Sequence, residues 1–499
     1  MNLNLQAHDF PENLEWLNVK KPLKMADLRG YIVILDFWTY CCINCIHVLS
    51  DLKQLEKKYE NDPLIVIGVH SPKFKNEKIK ENVVSAVERY EISHPILLDN
   101  EFVLWKKYKV FAWPTLILIG PNGQVISKAA GEGSLDSMEE IIEKLLVISR
   151  NNYEPVKKSE FIVDQEPKKS ILRFPGKLAF DEENDILFIS DSNNNRILAV
   201  KIKEKNHGEI LKIIGSGAPG FKDGSFASAK FDKPQGIVFH DGVLYIADTE
   251  NHSIRMVDFS NFQVRTVAGT GNKGYRFKYH GDPLNASLNS PWDLDFYENY
   301  LYITMAGSHQ IWRLNMEQDI IEILAGNGRE ALQDGPLNRA SLAQPSGISI
   351  DSDGKKVYFL DSESSSLRYV DLVSKEVLTI IGKGLFEFGH ENGNFPKALM
   401  QHPIGLDVNG DKIFVADTYN HAIRTVYLNK LEIQDLISQS TKSTCTINGK
   451  SCDYLPLFEP NDVLMIKDKL YIADTNNHLV RIYDFNDHKL HDLKLKYID

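Results

Sequence analysis

Five cysteines in 499 residues leave this chain without the material for a disulfide framework. Cys41, Cys42 and Cys45 crowd into one segment, and Cys445 and Cys452 stand apart near the far end. Secreted scaffolds that rely on bridges carry more cysteines, spread along the chain. Long apolar runs are also missing. The longest, residues 64–69 and 116–119, have strand length, far short of the ~18 residues of a membrane-spanning helix, so no membrane partner is expected. Positive charge is in deficit: 57 Lys and Arg against 68 Asp and Glu give −11, and −9 of this falls after residue 150. A surface that grips a phosphate backbone is basic, so nucleic acid is not an expected partner either. The first residues carry Asp9, Glu12 and Glu15 and no apolar core of a secretory signal, which points to a cytoplasmic location.

What is present divides into two textures. Residues 1–150 alternate strands and helices. The segment 31–37 (YIVILDF) is a near-continuous run of β-branched and aromatic residues and predicts a buried strand. Ile46, Leu49, Leu52, Leu55 and Tyr59 follow at helical spacing with charged residues between them. Residues 64–69 predict a second strand, 75–90 a charged helix, 115–119 and 125–129 a hairpin about the turn 120–123 (GPNG), and 137–148 a closing helix. This order predicts an α/β domain. Residues 151–170, charged and polar, read as a linker.

From residue 171 to 499 short strands and turn signals repeat. The segment LYIADT, followed by Asn, His and Arg, has its acidic position at 191, 248, 361, 417 and 474, with Met305 in the corresponding place of a degenerate third copy. The spacings are 57, 57, 56, 56 and 57 residues, and Pro234, Pro291, Pro345, Pro403 and Pro460 mark the strand before each later copy. Six β-rich units of constant period predict a six-bladed propeller, in which radial closure protects the strand edges. Short Asp, Ser and Thr side chains bond nearby backbone and fix turns, so Asp248, Asp417 and Asp474 with His252, His421 and His478 read as structural. The departures at Met305, Ala306 and Gly307, and at Ser364, Ser365 and Ser366, suggest blades with a different face. The motif resembles the NHL repeat.

The chemistry is expected at Cys42-Ile43-Asn44-Cys45, which follows a strand and opens a helix. Free N–H groups at a helix start favour a thiolate, the attacking species in thiol–disulfide exchange, and a cysteine one turn on can resolve the mixed disulfide. A zinc reading of Cys41, Cys42, Cys45 and His47 lacks the second spaced pair that such sites use, and no motif asks for a metal or an organic cofactor.

Asp36-Phe37-Trp38 ahead of Cys42, and Trp113-Pro114-Thr115 at the third strand, give this half a resemblance to thioredoxin. The resemblance implies that Asp36 is the buried acid handling the proton of Cys45. It also implies a cis Pro114 and a substrate edge formed by Trp113, Pro114 and Trp38. The segment 68–71 (GVHS) looks like the membrane-anchored and periplasmic thioredoxin branch. The chain departs from that pattern in carrying Cys41 before the pair, where it packs or modulates the reactive thiol, and Ile-Asn in place of Gly-Pro. As a whole, a thioredoxin-like α/β fold followed by an all-β six-bladed NHL-type propeller, with CCINC at the redox position, is similar to the NHL repeat-containing protein 2 family. Its animal members have a further C-terminal domain. A thiol–disulfide oxidoreductase that recruits a protein partner through its propeller is the expectation; the alternative is a scaffold whose thioredoxin fold is only structural.

Overall fold

The computed structural model describes residues 5–155, 157–163, 170–441, 444–447, 450–452 and 456–497. It divides into two compact units, residues 1–169 and 170–499.

The first unit is a six-stranded mixed sheet. Its strands are β1 (Trp16–Leu17), β2 (Ile32–Trp38), β3 (Leu64–His70), β4 (Ile96–Leu98), β5 (Thr115–Ile119) and β6 (Val125–Ala130), in the order β1-β4-β3-β2-β5-β6. The pairs β2–β3 and β3–β4 are parallel; β2–β5 and β5–β6 are antiparallel. The helices are α1 (Ile43–Lys58), α2 (Lys80–Arg89), α3 (Val103–Lys107) and α4 (Leu135–Asn152). Side chains alternate across a strand. Ile32 and Ile34 therefore meet Val48 and Leu52 of α1 and Met138, Ile142 and Leu146 of α4, while Val33, Leu35 and Phe37 pack on the opposite face. The same alternation sends Asp36 and Trp38 under α1.

Two expectations change here. The charged segment 75–90 is helical only over Lys80–Arg89, preceded by a 3-10 turn at Asn76–Lys78. Within the stretch 151–170, residues 157–163 are not free chain. Phe161 is buried in the core of this unit, Lys20 N–H donates to Phe161 O, and Val163 N–H donates to Asn18 O. An aromatic ring in a polar segment gains by leaving water, and its backbone is bonded where it docks. Residues 164–169 lie outside the described ones.

The second unit is built of six sheets, each with four consecutive antiparallel strands; in blade 2 these are Ile237–His240, Val243–Asp248, Ser253–Asp258 and Gln263–Ala268. No blade owns a core. Each large apolar cluster straddles two successive blades, and the cluster joining Leu187 and Leu198 of blade 1 to Tyr471 and Val480 of blade 6 closes the circle. The strand Lys494–Tyr497 adds itself in parallel to His207–Ile214 of blade 1, pinning the end of the chain to the first blade. Along the axis, the buried Lys177 ammonium of blade 1 donates to Asp293 of blade 3 (2.9 Å), to Asp462 of blade 6 (3.4 Å) and to Ile404 O of blade 5 (3.0 Å). Beside it is a cavity of about 210 Å³ lined from all six inner strands.

The repeated corner residues tie neighbouring blades. Thr249, Thr418 and Thr475 hydroxyls donate to the carbonyls of Pro291, Pro460 and Pro175. The Nδ1 atoms of His252, His309, His421 and His478 accept the backbone N–H of Ser290, Gln344, Glu459 and Phe174. The bonds of Thr475 and His478 run from blade 6 to blade 1. Beneath each corner the acidic residue meets an arginine: Asp248–Arg255 at 2.6 Å, Asp361–Arg368 and Asp417–Arg424 at 2.8 Å, Asp474–Arg481 at 2.6 Å and Asp191–Arg196 at 2.7 Å. In blade 3 the pair is replaced by Met305 and Trp312, whose Nε1 donates to Gln310. The substituted residues Met305, Ala306, Ser364 and Ser365 are all buried. They alter the interior of blades 3 and 4 and present no separate face, because the motif's polar positions point into the blade junction.

Among the described residues no helix is long and apolar enough to cross a membrane. The backbone strands Thr444–Ile447 and Lys450–Cys452 set Cys445 opposite Cys452; the side chains of both lie outside the described residues.

Arg424→Leu strips the cation from a fully buried carboxylate and is expected to destabilise the propeller by about 3–5 kcal/mol. Arg196→Leu is expected to cost less, because solvent reaches the side chain of Arg196 and screens its pair. Calorimetry on the intact chain checks both.

Candidate active site

Cys42 caps the N-terminus of α1 with extended backbone angles (φ −80°, ψ 117°), and its carbonyl accepts the N–H groups of Cys45 and Ile46. Cys42 is partly exposed, while Cys41 and Cys45 are buried; all three are free thiols. Burial, a hydrogen bond to the Cys42 thiol and the nearby charges of Cys42 and Asp36 push the Cys45 thiol well above its ordinary range. One thiol therefore faces solvent at a helix start, and its partner one turn on holds its proton.

Asp36 is fully buried, and neither of its carboxylate oxygens accepts a hydrogen bond from a described residue. Desolvation disfavours the charged form of such a group. Its pKa is accordingly pushed up from 3.8 to about 7, with His94 pulling weakly the other way.

The Trp113–Pro114 peptide bond is cis. Phe37 pairs with Thr115 across β2 and β5, so Pro114 lies level with the end of the strand from which the cysteine segment departs. Trp113 Nε1 donates to Ser71 O (2.9 Å), and Ser71 N–H donates to Trp38 O (2.9 Å). Trp113 also leans on Trp105 (4.6 Å between ring centres) and Phe102 (6.4 Å), next to Phe111, which is 77% exposed. Two of the three expected substrate contacts, Trp113 and Pro114, thus belong to one loop beside the cysteines. Trp38 does not. It is fully buried, edge-on to His70 at 5.1 Å, because the alternation of β2 turns it under α1; it forms a wall of the core and touches no substrate edge.

Cys41 is packed away, 2% exposed, with its N–H donating to Glu77 Oε1 (3.0 Å) and its thiol 3.9 Å from Thr39 Oγ1. Glu77 was not legible as a site residue. It sits in a run of charged residues, yet its carboxylate is fully buried and also accepts the N–H groups of Lys73 (2.7 Å) and Phe74 (2.9 Å). His47 Nδ1 lies 2.8 Å from Glu132, and the neighbouring Gly131 N–H donates to Pro114 O (2.8 Å). The 131–133 loop therefore links the proline loop to the active-site helix. His94, in the turn before β4, is the other residue that sequence reasoning missed. Its only signal is that it stands before Pro95, whose carbonyl accepts the N–H of Gly68.

Residues 30–125 match the model of a thioredoxin-like family, and residues 231–255 match the NHL repeat. Human NHL repeat-containing protein 2 is 37% identical over 516 residues, covering 96% of this chain and 70% of that protein. The chain belongs to the NHL repeat-containing protein 2 family. Within reach of this family is Protein SUPPRESSOR OF QUENCHING 1, chloroplastic, of Arabidopsis thaliana, 41% identical over 496 residues and covering 96% of this chain. The chain spans 46% of the length of that relative. The thiol-disulfide oxidoreductase ResA of Bacillus cereus is 26% identical over 125 residues, covering 25% of this chain and 69% of that protein. The thioredoxin-like unit of this family member thus has relatives named as thiol–disulfide oxidoreductases.

A carboxyl whose pKa is raised on folding binds its proton in the native state where the unfolded chain has lost it. Stability attributable to Asp36 therefore falls as pH rises from about 4 to 7, by on the order of 4 kcal/mol. Asp36→Asn is expected to raise the melting temperature of the first unit at pH 8 and to change it little at pH 4, read by thermal unfolding at the two pH values.

Proposed function

We propose that this chain is a thiol–disulfide oxidoreductase in which Cys42 attacks and Cys45 resolves. The reading rests on one observation above all: a partly exposed thiol at a helix start is bonded to a buried thiol, and the fully buried Asp36, pushed up to about 7 by desolvation, acts electrostatically on that buried thiol. The Cys42 thiolate attacks a disulfide sulfur of the substrate and releases the first substrate thiolate. Cys45 then gives its proton to Asp36 and attacks the Cys42 sulfur. The mixed disulfide breaks, the second substrate thiol leaves, and the Cys42–Cys45 disulfide remains. Two electrons pass from the dithiol to the substrate disulfide, whose reduction balances the oxidation of the pair. General-base help suits Asp36 because its pKa is matched to the working pH.

The loop of Trp113 and Pro114 supplies the edge on which a substrate strand lies, and Cys41 tunes the reactive thiol from its packed position. The propeller serves as the platform for a protein partner, with Phe221, Phe277 and Phe386 as exposed apolar contact points. A reducing compartment, expected to be the cytoplasm, keeps the pair as a dithiol.

The reduced full chain is expected to reduce a disulfide-bonded model peptide. Cys42→Ser abolishes this, and Cys45→Ser accumulates a mixed disulfide that mass spectrometry detects. Undiminished reduction by the Cys42→Ser protein, or no reduction by the wild type, overturns the proposal and leaves the propeller scaffold as the working part.

A further inference from the structure

The exchange reading needs the Cys42 sulfur and the substrate edge at a fixed spacing, yet the two belong to different elements. Cys42 goes with α1: its carbonyl accepts the N–H groups of Cys45 and Ile46, so it moves with the first turn of the helix. Pro114 goes with the loop before β5, which is tied down at several points. Trp113 Nε1 donates to Ser71 O (2.9 Å), Thr115 Oγ1 donates to Ala112 O (2.7 Å), and Pro114 O accepts the N–H of Gly131 (2.8 Å). The first two ties hold the loop to the end of β3 and to itself. The third leads on to the helix.

Gly131, Glu132 and Gly133 follow β6 directly, and both glycines have left-handed backbone, with φ +84° and +75°. Nothing stands within 4 Å of the point where a Cβ would be placed on either of them. The backbone conformation, and not crowding, therefore calls for glycine here. Between these two residues the side chain of Glu132 reaches α1, where its Oε1 lies 2.8 Å from His47 Nδ1, and the two side chains are 10% and 2% exposed. A carboxylate only accepts, so Nδ1 carries the hydrogen. His47 stands among Ile43, Ile46, Val48 and Leu49 on the buried part of the helix. An imidazole there is costly unless it is bonded, and a bond to a carboxylate is stronger than one between neutral groups.

We propose that the His47–Glu132 bond sets the spacing between the attacking sulfur and the substrate edge. This rests on the exchange reading above and deepens it: His47 and Glu132 are positioning residues that act through Cys42 and Pro114 and touch no substrate. The path runs from Cys42 along the start of α1 to His47, across the bond to Glu132, and through the Gly131 N–H to the Pro114 carbonyl. The glycines give the loop little stiffness of its own, and the buried bond supplies it. Attack on a disulfide needs the thiolate aligned with the reacting sulfur, and an ångström of misplacement can cost about 10²-fold in rate. A substrate held on the proline loop feels that spacing. A small disulfide that meets Cys42 from solvent does not.

Two measurements on the reduced full chain test the bond. The first compares the model peptide with hydroxyethyl disulfide, which is too small to lie on the edge while it reacts. Glu132→Ala is expected to lower kcat/KM for the peptide by at least about ten-fold and to leave reduction of hydroxyethyl disulfide unchanged. Glu132→Gln removes the charge and keeps the acceptor oxygen, and is expected to restore most of the peptide rate. An equal loss on both disulfides overturns the proposal, because it reports a damaged thiol or fold. So does a Glu132→Gln protein as slow as Glu132→Ala, because it reports an effect of charge. The second measurement needs no exchange activity. Amide hydrogen exchange at Gly131, whose N–H is held by Pro114 O, is expected to be at least about ten-fold faster in Glu132→Ala than in wild type, and close to wild type in Glu132→Gln. Unchanged exchange in Glu132→Ala overturns the proposal whatever the activity. Faster exchange in a chain whose wild type reduces no disulfide supports the hold of His47 and Glu132 on the proline loop and overturns only the exchange reading.

Discussion

Removing a polar group from water costs several kcal/mol unless a partner inside the protein replaces the water, and the two units of this chain answer that constraint in opposite ways. In the propeller the recurring threonines, histidines and Asp–Arg pairs of the corners meet the constraint. The threonine and serine hydroxyls, the histidine Nδ1 atoms and the Asp–Arg pairs are buried, and each is bonded, most of them across a blade boundary. Since every apolar cluster also spans two blades, the ring holds together only as a whole, and the bonds of Thr475 and His478 to the first blade complete it.

In the thioredoxin-like unit several buried polar atoms break the constraint, among them a group on and beside β2 and β3. Among the described residues, Asp36, Trp38 Nε1, both nitrogens of His70 and His94 Nε2 are buried without hydrogen-bond partners. Desolvation holds His70 uncharged, with its pKa lowered to about 3, and raises Asp36 to about 7. The stability forgone there lies directly under the two cysteines. Other buried carboxylates of this unit are well bonded: Glu77 takes three backbone N–H groups, including that of Cys41, and Asp99 takes those of Val103, Leu104 and Trp105. A buried carboxyl without partners, beside others that are well bonded, is the arrangement expected where a carboxyl has to titrate.

Family membership joins these two solutions in one chain. Matches to human NHL repeat-containing protein 2 and to the Arabidopsis relative run through both units, so the order of domains is a family property rather than an accident of this sequence. Both relatives extend further than the matched region.

The repeat was legible because its period is enforced by geometry: a blade needs four strands of fixed length, and 56 or 57 residues supply them. The cysteine pair was legible because a buried strand followed by an amphipathic helix leaves only one position for the helix start. Asp36 and Pro114 were legible by resemblance, since nothing local distinguishes a buried aspartate from a strand-end one. By contrast, Glu77, His94 and Glu56 look like surface residues in charged or polar segments, and Trp38 looks like a substrate contact. Their burial and partners come from segments 32 to 38 residues away in sequence, through the parity of β2 and the crossing of α1 over β3. Short-range pattern therefore determined the elements, the repeat and the reactive pair. Which polar groups are stranded beneath that pair was decided only when distant segments packed, because solvation depends on what surrounds an atom in space and not on its neighbours along the chain.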